Sequence, residues 1–261
     1  KRRNLETHHV STDAVRGAHK TLNPNRDVAS VTDTYGVTAF GSDGFTVREQ
    51  ASAGGQVNTG TLVSWNWKLN GSGSTDTSGD IDAVVSANTT AGISILTFTA
   101  NGTNAGTIPH GLGVVPKVAI KKRLDSTGDW HLRTTVIDGS DDYLALNTSA
   151  AASTFSASYG SMTSQFVTNS ASPNGSSQMF YVFAEVPGFS KFGSFYGTSH
   201  VNGTAVVTGF RPAFVMIKRT DAAGYWWGMM DNKRNPYNDH ATKILWANDA
   251  AVESTDNVID F

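Results

Sequence analysis

The residues of this chain best equipped for chemistry are aromatic. Tyr225, Trp226 and Trp227 are consecutive. In a strand, neighbours alternate faces, so Tyr225 and Trp227 share one side while Trp226 takes the other. An outward pair of rings is a platform on which sugar rings stack, and Tyr225 and Trp227 are therefore the candidate ligand-binding residues. Trp226 matches Trp130 in an earlier copy of the same motif and is expected in the core. Trp65 and Trp67 also share a face, but Tyr181 and Phe183 stand at the matching places later in the chain. Bulk that recurs at one place reads as packing.

The acidic and basic residues offer less. Glutamate occurs only at Glu6, Glu49, Glu185 and Glu253, and glycosidase chemistry needs two carboxyl groups at a fixed separation; no spacing singles out such a pair. The sequence has no nucleophile elbow, phosphate-binding loop, HExxH or GxGxxG. His8, His9 and His19 are the histidines nearest one another, yet His8 and His9 point to opposite faces of a strand and do not readily share an ion. The run Asp138-Gly139-Ser140-Asp141-Asp142 resembles a calcium loop but lacks the spacing and terminal Glu of an EF-hand; it reads as a solvated turn. Asp13-x-x-Arg16 returns as Asp231-x-x-Arg234, with Asp138 aligned between them and no arginine at its match. A salt-bridged or side-chain-capped turn, structural in role, is the natural reading. The expectation is no catalytic residue, no metal and no cofactor, hence a protein that is not an enzyme.

The elements that hold these residues are repeated. GLGVVPKVAIKKRLD (residues 111–125) returns as GFRPAFVMIKRTD (residues 209–221), with Pro116 and Pro212, Lys122 and Lys218, Arg123 and Arg219, and Asp125 and Asp221 each about 96 positions apart. A period near 100 residues is a domain, too long for a solenoid repeat. Half of a third copy opens the chain: the initial KRR matches the basic strand ends, TDAVRGAHKTLNPN (12–25) parallels residues 136–149, and LVSWNWK (62–68) matches QMFYVFA (178–184). The organisation expected is the C-terminal part of repeat one (1–69), a Gly/Ser/Thr-rich linker (70–83) made flexible by NGSGSTDTSG (70–79), a complete repeat two (84–187), and the N-terminal part of repeat three (188–261). Two partial copies imply an excerpt of a longer polypeptide or a permuted arrangement.

Every strong segment has strand character. Residues 62–68, 93–99, 114–122, 179–185, 189–196, 213–219 and 225–230 are apolar or β-branched, and Asn-Gly and Asp-Gly turns fall between them. No stretch has a capped 3.6-residue apolar period. The fold class expected is all-β: tandem β-sandwich, jelly-roll-like repeats of mostly antiparallel strands. Net charge is −2, with 20 Lys+Arg against 22 Asp+Glu, which gives nucleic acid no electrostatic footprint. No apolar run approaches a membrane span. Cysteine is absent, which removes disulfides and thiolate sites.

The runs IKRTD (217–221), GFRPAFV (209–215), FAEVPGFSKFGSF (183–195), TDAVRGAHKTL (12–22), VTAFGSDGF (37–45) and VSWNWK (63–68) resemble a repeated module in tail-fibre-like structural proteins of marine bacteriophages. The resemblance implies a tandem β-rich module of a virion, in the tail or its fibres. It also implies other virion proteins as partners, a homo-oligomer (a trimer), and host-surface polysaccharide as a ligand. Nucleic acid and membrane insertion are not expected. A cellular adhesin or filament protein, a capsid decoration protein and a polysaccharide depolymerase are the alternatives. The module carries no chemistry to transfer, and VVPK (114–117) departs from its usual aromatic-rich form.

Overall fold

A computed structural model describes residues 1–48, 60–170, 172–200, 203–234 and 240–260; Glu49 lies outside the described residues. Module one holds β1 (Lys20–Thr21), β2 (Val31–Thr32), β3 (Gly36–Phe40) and β4 (Phe45–Arg48), and β5 (Ser74–Asp76) follows it. Module two holds β6 (Ala83–Asn88), β7 (Ile93–Thr99), β8 (Thr107–Pro109), β9 (Val118–Arg123), β10 (His131–Thr134), β11 (Asp142–Ala145), β12 (Ser153–Thr154), β13 (Phe166–Thr168) and β14 (Ser177–Phe183). Module three holds β15 (Phe214–Ile217), β16 (Gly228–Asp231), β17 (His240–Trp246) and β18 (Ser254–Asp260). The protein is all-β and its strand pairs are antiparallel, with one 3₁₀ turn at Ala157–Tyr159 as the helical element among the described residues.

Module two explains why its strands read as nearly continuous apolar runs. Its sheet has the order β12-β11-β10-β9-β14-β7-β6-β5, and the ribbon β13-β8 lies apart from it. The central strands are buried on both faces, so alternate residues feed two different cores. Along β14, Met179, Tyr181 and Phe183 turn to one core with Ile95, Val118, Ile120 and Trp130. Phe180 and Val182 turn to the other, with Leu96, Phe98 and Ala119. Lys122 on β9 is fully buried, and its ammonium is satisfied by the carbonyls of Asp27 at 2.8 Å and Gly128 at 2.6 Å. Burial lowers its pKa to about 8.

Three segments differ from the sequence expectation. Residues 70–79 are not a free linker: β5 pairs with β6 at the sheet edge, Ser74 opposite Val85 and Asp76 opposite Ala83. Gly73 lies against this partner at φ +82°, where a Cβ would come within 2.6 Å of the Val85 carbonyl; glycine there serves close approach as much as freedom. Residues 62–68 and 189–196 form no regular strands; they carry only isolated bridges, Arg2 to Leu62 and Val186 to Ser190. Leu62 meets Arg2 as Gln178 meets Arg123 and Val63 N donates to Lys1 O, but residues 64–69 have no ladder partner among the described residues. Residues 189–196 correspond to β7 of module two, which is held between β14 and β6.

Candidate functional site

The modules are joined in a closed cycle, and one aromatic position makes each joint. In module two, Trp130 N donates to Asn147 Oδ1 at 2.8 Å, and its indole Nε1 donates to Asn23 O of module one at 3.1 Å. In module three, Trp227 N donates to Asn248 Oδ1 at 2.9 Å, and its Nε1 to Ala145 O of module two at 3.2 Å. In module one, His9 N donates to Asn25 Oδ1 at 3.0 Å, and its Nε2 lies 2.9 Å from Trp246 O of module three. Each ring reaches the carbonyl two residues before the neighbour's asparagine. The backbone repeats the cycle: Gly128 N to Asp27 O, Gly224 N to Ser149 O, and Thr7 N to Ala250 O. Leu22, Trp130, Leu132, Trp227, Met229 and Leu245, drawn from all three modules, share one core. The three copies form a pseudo-threefold ring.

This equivalence corrects the register read from the sequence. Lys122 and Lys218 are 96 positions apart, but Trp130 is matched by Trp227, 97 positions on, because module three has one additional residue between Gly224 and Trp227. Trp227 is therefore the core residue, only 5% exposed, while Tyr225 and Trp226 are 46% and 43% exposed. The expected outward pair Tyr225/Trp227 is replaced by Tyr225/Trp226. The sequence reading failed here because these residues precede β16 rather than lie in it, so strand alternation does not apply to them.

The exposed rings form a patch with a charged edge. Trp226 meets Trp246 edge-on, with centroids 5.4 Å apart at 75°. The Arg219 guanidinium stands 4.3 Å over the Tyr225 ring and pairs with Asp221 at 2.6 Å. Trp246 was not anticipated from the sequence; its ring places at the equivalent positions hold Asn23 and Ala145. Trp246 is half-buried and also packs on the Met230–Ile244 core, whereas Tyr225 and Trp226 are exposed. Exposed tryptophan and tyrosine faces bind apolar faces of ligands, and the Arg219–Asp221 pair supplies donors and acceptors beside them.

The other positions singled out are structural. Arg16 Nε pairs with Asp13 Oδ2 at 2.6 Å, and Tyr181 of module two donates its hydroxyl to the same carboxylate at 2.8 Å. Arg234 Nε pairs with Asp231 Oδ2 at 2.7 Å, and there Trp65 of module one donates its Nε1 at 3.1 Å. The matching position in module two is Thr134, since Thr134 and Asp231 stand opposite Val118 and Phe214. Asp138 is not the counterpart; its Oδ1 accepts from Ser140 N and Oγ in a local turn. Trp67 is 52% exposed and meets Phe214 in a T-shaped contact, so only Trp65 of that pair is packed inside. His8 and His19 are also bound locally, His8 Nδ1 by Asn25 Nδ2 and His19 Nδ1 near Asp33 O. Among the described residues no group of three His, Asp or Glu side chains is placed to hold a metal ion.

His9 makes the ring sensitive to acid. Burial, reinforced by the Lys1 charge, lowers its pKa from 6.5 to about 3, so the folded protein holds it neutral, with Nε2–H donating to Trp246 O. Below pH 6.5 the unfolded chain takes up a proton that the folded chain refuses. Stability should then fall by up to about 1.4 kcal/mol per pH unit between pH 6.5 and about 3. Urea unfolding at pH 7, 6 and 5 measures this slope. His9→Trp, which retains the ring N–H donor used by Trp130 and Trp227, should remove it.

A family model described as "Domain of unknown function (DUF7483)" matches residues 1–261. Comparison with the curated proteins and with the solved structures found no match.

Proposed function

The chain belongs to the DUF7483 family, and we propose from its architecture that it is a non-enzymatic structural component of a bacteriophage virion. It sits in the tail or tail fibre, assembles there with other virion proteins as a homo-oligomer, a trimer, and contacts host-surface glycans. The observation that carries this reading is the pseudo-threefold ring, in which each module's aromatic ring is bonded into the next. An interlocked ring suits mechanical load, because no module can leave without breaking two joints. Five of the described carboxylates support a structural role as well: Asp13, Asp141, Glu185, Asp231 and Glu253 each sit in an ion pair. Mass spectrometry of purified virions should find the protein in tail fractions; its absence from particles would remove the proposal.

The glycan contact is assigned to Tyr225, Trp226 and Trp246. Stacking of one sugar face on one indole resembles other aromatic contacts in strength, about 0.5–1.5 kcal/mol beyond area burial. A single site is weak, and several copies on one particle engage a surface avidly. Trp226→Ala should weaken binding of host-cell polysaccharide about tenfold, read by surface plasmon resonance, while the melting temperature stays near that of the parent. Trp67→Ala, which removes an exposed tryptophan elsewhere, should leave binding unchanged. Equal binding by the parent and Trp226→Ala would exclude this patch but leave the virion location standing.

A further inference from the structure

The ring is threefold in its joints but not in its strands. In module two the edge of β9 opposite β10 is covered by β14, with Gln178 opposite Arg123 and Phe183 opposite Val118. In module one, Leu62 covers Arg2 in the same register. In module three, β15 pairs with β16 on one side only and ends its sheet. No described segment occupies the other edge. The consequence is visible residue by residue: Val118, Ala119, Ile120, Lys121 and Lys122 are buried, whereas Phe214, Val215, Ile217 and Lys218 are half-buried and Met216 is exposed. The clamp on the third lysine is also unmade. Lys1 and Lys122 each bridge two carbonyls across a joint, Thr7 with Ala250 and Gly128 with Asp27, but Lys218 donates to the adjacent Arg219 carbonyl.

We infer that the free edge of β15 is a strand-addition site, and that its occupant is an extended segment with the pattern of β14. An unpaired strand edge offers a row of backbone donors and acceptors, and a peptide that adds to it gains main-chain hydrogen bonds as well as side-chain pockets. The β14–β9 ladder and the matching Arg2–Leu62 bridge specify the register and the chemistry. The occupant runs antiparallel to β15, with apolar residues on both faces. Its central residue differs from the other two. Tyr181 and Trp65 carry polar tips because they meet Asp13–Arg16 and Asp231–Arg234. The module that would receive the third strand's central side chain is module two, which has Thr134 at the acidic position and Ile137, three residues on, at the arginine position. That side chain is therefore apolar, phenylalanine rather than tyrosine. Once the strand is seated, Lys218 completes the third clamp, between Gly224 and Ser149.

The test uses a fluorescent peptide of residues 176–185, flanked by lysines for solubility, with phenylalanine at the position of Tyr181. Saturable binding by anisotropy is expected, with amide exchange slowed selectively at residues 214–217. Lysine at the peptide's central position should weaken binding at least tenfold. Met216→Lys, which charges an exposed edge residue, should abolish binding without changing the melting temperature. Unaltered exchange at residues 214–217 with saturating peptide would overturn the inference. So would concentration-dependent dimerisation that protects the same amides and is lost in Met216→Lys, because the edge would then belong to a second copy.

Discussion

Trp130→Ala is expected to cost about 3–5 kcal/mol of stability, the range for removing a fully buried large aromatic side chain, and to lower the urea midpoint accordingly. The residue is 1% exposed, and its ring is stacked on Tyr181 with centroids 6.2 Å apart at 7°. Its Nε1 serves two carbonyls of module one, Asn23 and Arg26. Alanine would leave a cavity at the ring centre and remove the donor from both acceptors. Trp130→Phe separates these effects: it keeps most of the bulk and loses the N–H, at about 1–3 kcal/mol for polar groups left unpaired in the interior. Trp67→Ala should cost far less, because that ring is mostly in solvent. Chemical unfolding of the three variants checks the order. A Trp130→Ala protein as stable as the parent would show that the joints do not hold the modules together.

Asp231→Ala should be comparably severe, about 3–5 kcal/mol, for an electrostatic reason. The carboxylate accepts from Arg234 N at 2.9 Å and Nε at 2.7 Å, from Lys233 N at 3.0 Å and from Trp65 Nε1 at 3.1 Å. Burial opposes its charge, but these donors outweigh it and hold the carboxyl below the usual range. Without it, the almost fully buried Arg234 keeps Glu253 at 2.9 Å but loses its closest partner. The molecule contains its own control. Module two has Thr134 and Ile137 where module three has Asp231 and Arg234, so Asp231→Thr combined with Arg234→Ile should recover much of the loss. The exposed pair Arg219–Asp221 should behave differently: solvent screens it, so Asp221→Ala should leave the melting temperature at that of the parent. Thermal melts of the four proteins distinguish a buried network from a surface pair.

Much of the fold is legible in the sequence because it depends on local pattern. The apolar or β-branched runs ISILTFT and SQMFYVF mark β7 and β14, glycine turns separate them, and the recurrence of the KKR and IKR ends aligns β9 with β15. The Asp-x-x-Arg turns, too, are where their spacing puts them, because a carboxylate capping nearby amides is a short-range contact. Tertiary structure alone decided the rest. Residues 62–68 and 189–196 have strand-forming side chains, yet a strand exists only where a neighbour pairs with it, and among the described residues these segments make only the bridges Arg2–Leu62 and Val186–Ser190. The composition of residues 70–79 suggests freedom, yet β6 offers an edge that orders three of them. The equivalence of His9 with Trp130 and Trp227 has no signal in residue type; it appears only when each ring is seen bonded to the next module's carbonyl. The single residue added before Trp227 then reversed which tryptophan is core and which is surface. Side-chain direction follows from backbone pairing, and pairing in this protein is set by the closure of three modules into one ring.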